Sequence, residues 1–136
     1  MPAILVDTGP IVAYLDRRDH YHQWALSQFS RFPAPYKTCE AVCVEAAHLL
    51  SRAGLDPTVV LDLLQLGVLE IDFAIKTDVE RIRALMKKYR DQPMSLADAC
   101  LVRMAEQHPK STVLTLDTDF HIFRKHKRDL IPVIIP

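Results

Sequence analysis

Four short, mostly apolar runs, at residues 3–6, 68–71, 111–116 and 131–135, recur along the chain with helical patterns between them. Runs this short and this poor in alternating polar residues predict strands buried on both faces. A weaker strand is predicted at Tyr36-Lys37-Thr38. The intervening patterns predict helices over Ile11–Asp16, His20–Arg31, Glu40–Arg52, Pro57–Leu66, Lys76–Tyr89 and Leu96–Gln107. Strands that alternate with helices call for crossover connections and a parallel sheet covered on both faces. The expected fold is therefore α/β, a three-layer α/β/α sandwich around a central, mainly parallel sheet of about five strands. Breaks at Gly9-Pro10, Pro33-Ala34-Pro35, Gly54-Leu55-Asp56-Pro57 and Asp91-Gln92-Pro93 separate the elements, and none is long enough to be a linker. With 136 residues, 49% of them hydrophobic, one domain over 1–136 is expected.

Charge excludes little: 17 basic and 17 acidic residues cancel, so any nucleic-acid contact must come from local clusters. Three cysteines do not make a disulfide framework. The chain shows neither a basic, apolar leader nor an apolar run near the roughly 20 residues of a membrane span, so no membrane and a cytoplasmic home are expected.

Against this apolar background four carboxylates stand out. Asp7 follows Ala3-Ile4-Leu5-Val6, Glu45 and Asp98 sit among small apolar residues of predicted helices, and Asp117 follows Val113-Leu114-Thr115-Leu116. No Lys or Arg adjoins any of them. A carboxylate removed from water needs pairing, hydrogen bonds or a metal, and a shared divalent cation satisfies all four at once. The expected architecture supplies a meeting place, because ligands of open parallel sheets gather at the carboxyl ends of the strands. Asp7 and Asp117 fall just after strands, and a helix that follows a strand begins at that same edge.

Taken in order, Leu5-Val6-Asp7-Thr8-Gly9-Pro10, Thr38 through Glu45, Ser95-Leu96-Ala97-Asp98-Ala99 and Leu114-Thr115-Leu116-Asp117-Thr118-Asp119-Phe120 resemble the acidic motifs of the PIN-domain ribonucleases. The likeness is greatest to the VapC-like toxins of toxin-antitoxin pairs and runs through the whole chain. It implies a metal-dependent endoribonuclease with Asp7, Glu45, Asp98 and Asp117 as its acidic set. Asp119 would be an auxiliary acid, with Thr8 and Thr115 supporting. It further implies Mg²⁺ or Mn²⁺ as cofactor, an RNA substrate, a homodimer and an antitoxin partner that presents Arg to the acids.

The chemistry agrees with the residue types. Hard carboxylate oxygens suit Mg²⁺ or Mn²⁺, and such ions neutralise phosphate, acidify water and stabilise a leaving oxygen. Asp7 and Asp98 are expected as direct ligands, Glu45 as a ligand or a base that orients water, and Asp117 as a ligand or an outer support. Asp119 either binds a second ion or caps the next turn.

Each acid also has a structural reading. Ser95 and Asp98 have the spacing of a capping box, and Asp7 ahead of Pro10 that of an N-cap. Asp117 or Asp119 can cap a short helix, and Glu45 can pair with His48. Asp19 reads as an N-cap, while His20 and His22 point apart on a helix and make a poor metal site. Cys39 and Cys43 read as small core residues, and Trp24, Phe29 and Phe32 as core or dimer surface.

For RNA, Arg124-Lys125-His126-Lys127-Arg128 is expected to flank the catalytic edge, with Arg124, Lys125, Lys127 and Arg128 on phosphates; the rival is a solvated loop. Arg17-Arg18 and Lys87-Lys88-Tyr89-Arg90 are lesser basic clusters. Two other functions compete. A phosphoacceptor receiver lacks its adjacent acidic pair here, and a phosphate-transferring hydrolase lacks its Asp-x-Asp, since Thr8 and Gly9 follow Asp7. A catalytically weak binding module of the same fold is the remaining alternative.

Overall fold

The structure, a computed structural model, describes residues 2–136. Its centre is a five-stranded sheet, every pairing parallel, built from β1 (Ile4–Val6), β2 (Tyr36–Thr38), β3 (Leu69–Ile71), β4 (Thr112–Leu114) and β7 (Val133–Ile134) in the order β3-β2-β1-β4-β7. Between the strands run α1 (Thr8–Leu15), α2 (His22–Arg31), α3 (Glu40–Arg52), α4 (Val59–Gln65), α5 (Val79–Lys88) and α6 (Leu96–Gln107), giving the expected three layers. Leu5, Val6, Val113 and Leu114 at the middle of the sheet are completely buried. Removing each such side chain from water contributes about 1.5–3 kcal/mol.

Strand order decides where a ligand can bind. The chain steps outward from β1 to β2 and β3, then returns to β4 on the other side of β1 and continues to β7. The direction of winding reverses between β1 and β4, and the crevice beyond their carboxyl ends is the natural binding position of such a sheet. The register Ile4↔Thr112, Leu5↔Val113, Val6↔Leu114 makes Asp7 and Thr115 the next pair along.

Helix burial follows from side-chain spacing. α3 buries Val42, Ala46 and Leu50, a stripe of four-residue steps, and turns Val44 and Glu45 outward. α6 is buried through most of its length, from Ala97 to Glu106, which accounts for its small apolar residues. α5 buries only Ile82 and Leu85 and leaves one side polar.

Local details differ from the sequence expectation. α1 starts at Thr8 rather than Ile11, because Asp7 caps it and Pro10 fits its first turn. Asp19 does not cap α2: its carboxylate accepts the Tyr21 amide at 2.9 Å, two residues on, and Tyr21 occupies the cap position. Phe29 stacks with Tyr14 and Tyr36, and Trp24, Phe29 and Phe32 are partly buried against the core.

The largest difference is the basic segment. Instead of a loop, it forms an antiparallel hairpin of β5 (Arg124–Lys125) and β6 (Asp129–Leu130). His126 and Lys127 at its tip have φ of 50° and 72°, as both central residues of a type I′ turn require. The hairpin is pinned to α6, where Glu106 accepts the His126 amide at 2.6 Å. Glu106 also takes both Arg81 Nε, at 2.9 Å, and a second Arg81 nitrogen, together with Arg103 at 3.3 Å. Arg103 in turn reaches Asp78 at 2.7 Å. Burial pushes the Glu106 carboxyl up, but Arg81, the His126 amide and Arg103 outweigh it and hold the group below its usual range.

Candidate active site

Three aspartates meet at the crevice between β1 and β4, each anchored by a backbone amide. Asp7 Oδ1 accepts the Thr8 amide at 2.8 Å and so caps α1. Asp98 and Ser95 form a reciprocal capping box: the Asp98 amide donates to Ser95 Oγ, and the Ser95 amide to Asp98 Oδ2, both at 3.0 Å. Asp117 Oδ1 accepts the Asp119 amide at 2.9 Å at the head of a 3-10 turn, Thr118–His121. Thr115 links two of the three. Its hydroxyl donates to Asp7 Oδ2 at 2.8 Å and accepts the Asp117 amide at 2.9 Å.

The capping and metal-binding readings of these acids are thus not rivals. The same bonds that start the helices aim the carboxylates at one another, and an oxygen from each of Asp7, Asp98 and Asp117 lies within 4.8 Å of the other two. Asp7 and Asp98 are buried, each 7% exposed. Among the described residues no Lys, Arg or His forms an ion pair with any of the three. Burial, helped by Asp98 and Asp117, pushes the Asp7 carboxyl up to about 7 against the opposing bonds from Thr8 and Thr115. Burial likewise raises Asp98, aided by Asp117 and Glu45, while the Ser95 bonds pull the other way.

Such crowding of hard, anionic oxygens without a protein cation is what a divalent ion relieves, so the donor set fits Mg²⁺ or Mn²⁺. The acids border a cleft of about 350 Å³. Glu45 enters the same cleft from the exposed side of α3, although its sequence neighbours are apolar; its Oε2 accepts the Thr8 hydroxyl at 3.0 Å. Thr8, rather than His48, is therefore its hydrogen-bond partner. The cleft wall is tight at one point: a Cβ on Gly9 would lie 3.0 Å from Leu116, beside Asp117, so the close approach of α1 to this loop depends on glycine.

Other expected site residues lie elsewhere. Asp119 gives its amide to Asp117, and its carboxylate stands outside the three-acid group. Arg124 donates to the carbonyls of His121, Ile122 and Phe123, Lys125 to that of Pro109. The hairpin is held at Glu106, eight residues beyond Asp98 on α6 and hence about 12 Å further along its axis. Lys127 and Arg128 are exposed at its tip. Ser95 and Gly9 were legible only as a cap and a turn signal, although both shape the cleft.

The PIN domain family matches residues 4–126. The chain belongs to the PIN-domain family. The resemblance read from the four acidic motifs therefore holds. This PIN domain is 27% identical over 132 residues to "Ribonuclease VapC26" of Mycobacterium tuberculosis, covering 96% of this chain and 93% of that protein. Its fold is similar to that of VapC20 of Mycobacterium tuberculosis, a toxin described as cleaving the sarcin-ricin loop, with a TM-score of 0.76 over 86% of this chain and 92% of the other. At 21% identity that second likeness concerns the fold, and the parallel sheet with its flanking helices is what the two share. Among the described residues, no helix is long and apolar enough to cross a membrane.

Proposed function

We propose that this PIN domain is a metal-dependent endoribonuclease, the toxin of a toxin-antitoxin pair. The observation that carries the reading is the group of three carboxylates within 4.8 Å at the crevice between β1 and β4, with no protein cation among the described residues to balance it. The similarity to a ribonuclease over 96% of the chain supports the same chemistry. All of 1–136 is read as one PIN domain, since β7, beyond the matched residues, completes the sheet beside β4.

Asp7, Asp98 and Asp117 are the proposed ligands, with Glu45 at the rim. A bound Mg²⁺ or Mn²⁺ would neutralise the scissile phosphate and acidify a water for attack on phosphorus. The chain's own contribution is to fix the donors before substrate arrives. Thr115 and Ser95 lock the rotamers of Asp7 and Asp98, and Thr8 holds Glu45 where it can take a proton from the attacking water. Asp119 is left as a support of the Asp117 turn.

Partners follow from the same site. RNA is the substrate, and an antitoxin that presents a guanidinium to the acids would replace the ion, because Arg pairs with carboxylates in a bidentate fork. A homodimer and a cytoplasmic location complete the reading. Incubating the protein with a panel of RNAs in Mn²⁺ or Mg²⁺ tests it: cleavage should require the ion, stop in EDTA and disappear in Asp98→Asn. Cleavage that survives both chelation and substitution would overturn the mechanism.

A further inference from the structure

We propose that a second cleft, formed by α5 and the start of α6, is a track for single-stranded RNA leading into the acidic cleft. This rests on the ribonuclease reading for the identity of the polyanion, but not for the existence of the cationic surface.

The cleft has a volume of about 430 Å³ and an apolar floor that includes Ile75, Val79 and Met86. Arg83, Lys87 and Arg90 border it. Arg83 and Lys87 lie one turn apart on α5, and Arg90 sits in the turn just beyond its C-terminus, so that all three line the same cleft. All three are exposed, and none makes an ion pair or a side-chain hydrogen bond among the described residues. The neighbouring Lys88 is directed away, to the Lys127 carbonyl at 3.0 Å. Of the other basic residues nearby, Arg81 and Arg103 are held by Glu106 and Asp78, while Lys76, next to Ile75, is exposed.

Position gives this surface its meaning. Leu96 borders the cationic cleft, and Ser95, the residue before it, borders the acidic one. A strand lying along α5 therefore passes over the first residues of α6 and reaches Asp98 without leaving the surface. Cations beside the acids answer a physical need, because a polyanion approaching clustered carboxylates must gain its affinity nearby. The apolar floor between the cations suits unstacked bases, which single strands offer and duplexes do not. A second copy of this chain is the poorer occupant: a two-fold interface would set Arg83, Lys87 and Arg90 against their own counterparts.

The test compares Arg83→Gln/Lys87→Gln/Arg90→Gln with a charge-matched control of exposed cations away from the cleft, Arg17→Gln/Arg52→Gln/Lys110→Gln, both in an Asp98→Asn background. Fluorescence anisotropy with a labelled 20-nucleotide single-stranded RNA of mixed sequence is read across salt concentrations. The α5 variant should bind about tenfold or more weakly at 0.1 M salt, with a salt slope lower by about 2, as loss of three single-strand phosphate contacts requires. The control should stay near the parent. Equal loss in both variants, or none in the α5 variant, would overturn the track. So would light scattering in which the α5 substitutions turn a dimer into a monomer while RNA affinity is unchanged. If the chain with all its acids intact cleaves no RNA, yet the α5 variant alone loses binding and salt slope, the nuclease reading fails and the track stands.

Discussion

The Thr115 hydroxyl donates to Asp7 Oδ2 at 2.8 Å across 108 positions of sequence, and no water reaches the threonine, which is fully buried. One side chain thus ties the acid at the end of β1 to the segment that follows β4, in addition to the backbone pairing of the two strands. Thr115→Val keeps the shape, removes this donor and orphans the Asp117 amide, so it should cost about 1–3 kcal/mol. Because the Thr115 bond lowers the Asp7 pKa, its loss should also move the acid limb of the pH-rate profile upward. Chemical denaturation and rates between pH 5 and 9 check both effects; an unshifted profile would show that Thr115 does not tune Asp7.

Asp98 should separate charge from capping. Asn retains an acceptor for the Ser95 amide and removes a charge from the cluster, so Asp98→Asn in EDTA should be as stable as the parent or more so. Asp98→Ala loses the cap as well and should fall below Asn by about 0.5–2 kcal/mol. Both should be inactive. Thermal melts of the two variants in EDTA, beside cleavage assays in Mn²⁺, distinguish the contributions.

Asp7 predicts a pH dependence of stability. Its carboxyl lies at about 7 in the folded chain against an ordinary 3.8. Between these values the folded state keeps a proton that the unfolded state has lost, so metal-free stability should decline as pH rises from about 4 to 7. The limiting slope for one proton is about 1.4 kcal/mol per pH unit. Asp7→Asn should flatten that slope. Metal affinity should rise over the same interval, since ion and proton compete for the carboxylate. Urea unfolding in EDTA and metal titrations at several pH values measure the two trends.

Glu106 lies outside the cleft and predicts a different phenotype. Its side chain is 2% exposed and holds Arg81, Arg103 and the hairpin amide of His126. Glu106→Gln should destabilise by about 3–5 kcal/mol, at the lower end because both arginines are partly solvated. Its lowered pKa means that the contribution is present above the ordinary carboxyl range and lost as pH falls through it. The folded fraction should still cleave. Denaturation at pH 7 and pH 4 checks the sign.

The fold was legible where burial dominates. α3 and α6 run from Glu40 to Arg52 and from Leu96 to Gln107 as expected, because an apolar stripe in one and near-complete burial in the other leave little choice. The hairpin was hidden because Arg124 to Arg128 lack apolar alternation, and its left-handed turn uses His126 and Lys127 where glycine or asparagine would have announced it. Glu45 reads as buried from its neighbours, yet α3 turns its polar edge toward the cleft. The basic cluster on α5 looked minor in sequence, since only the fold brings Arg83, Lys87 and Arg90 beside Leu96.

The amide that anchors each of the three aspartates belongs to a helical start: α1 for Asp7, α6 for Asp98 and the 3-10 turn for Asp117. Free amides at such starts carry partial positive charge, and here they face the crowded anions. Folding consequently has its own local compensation and does not wait for an ion. The ion arrives at a finished cradle, so chelation should leave an intact but idle protein, and refilling should restore cleavage without any refolding step.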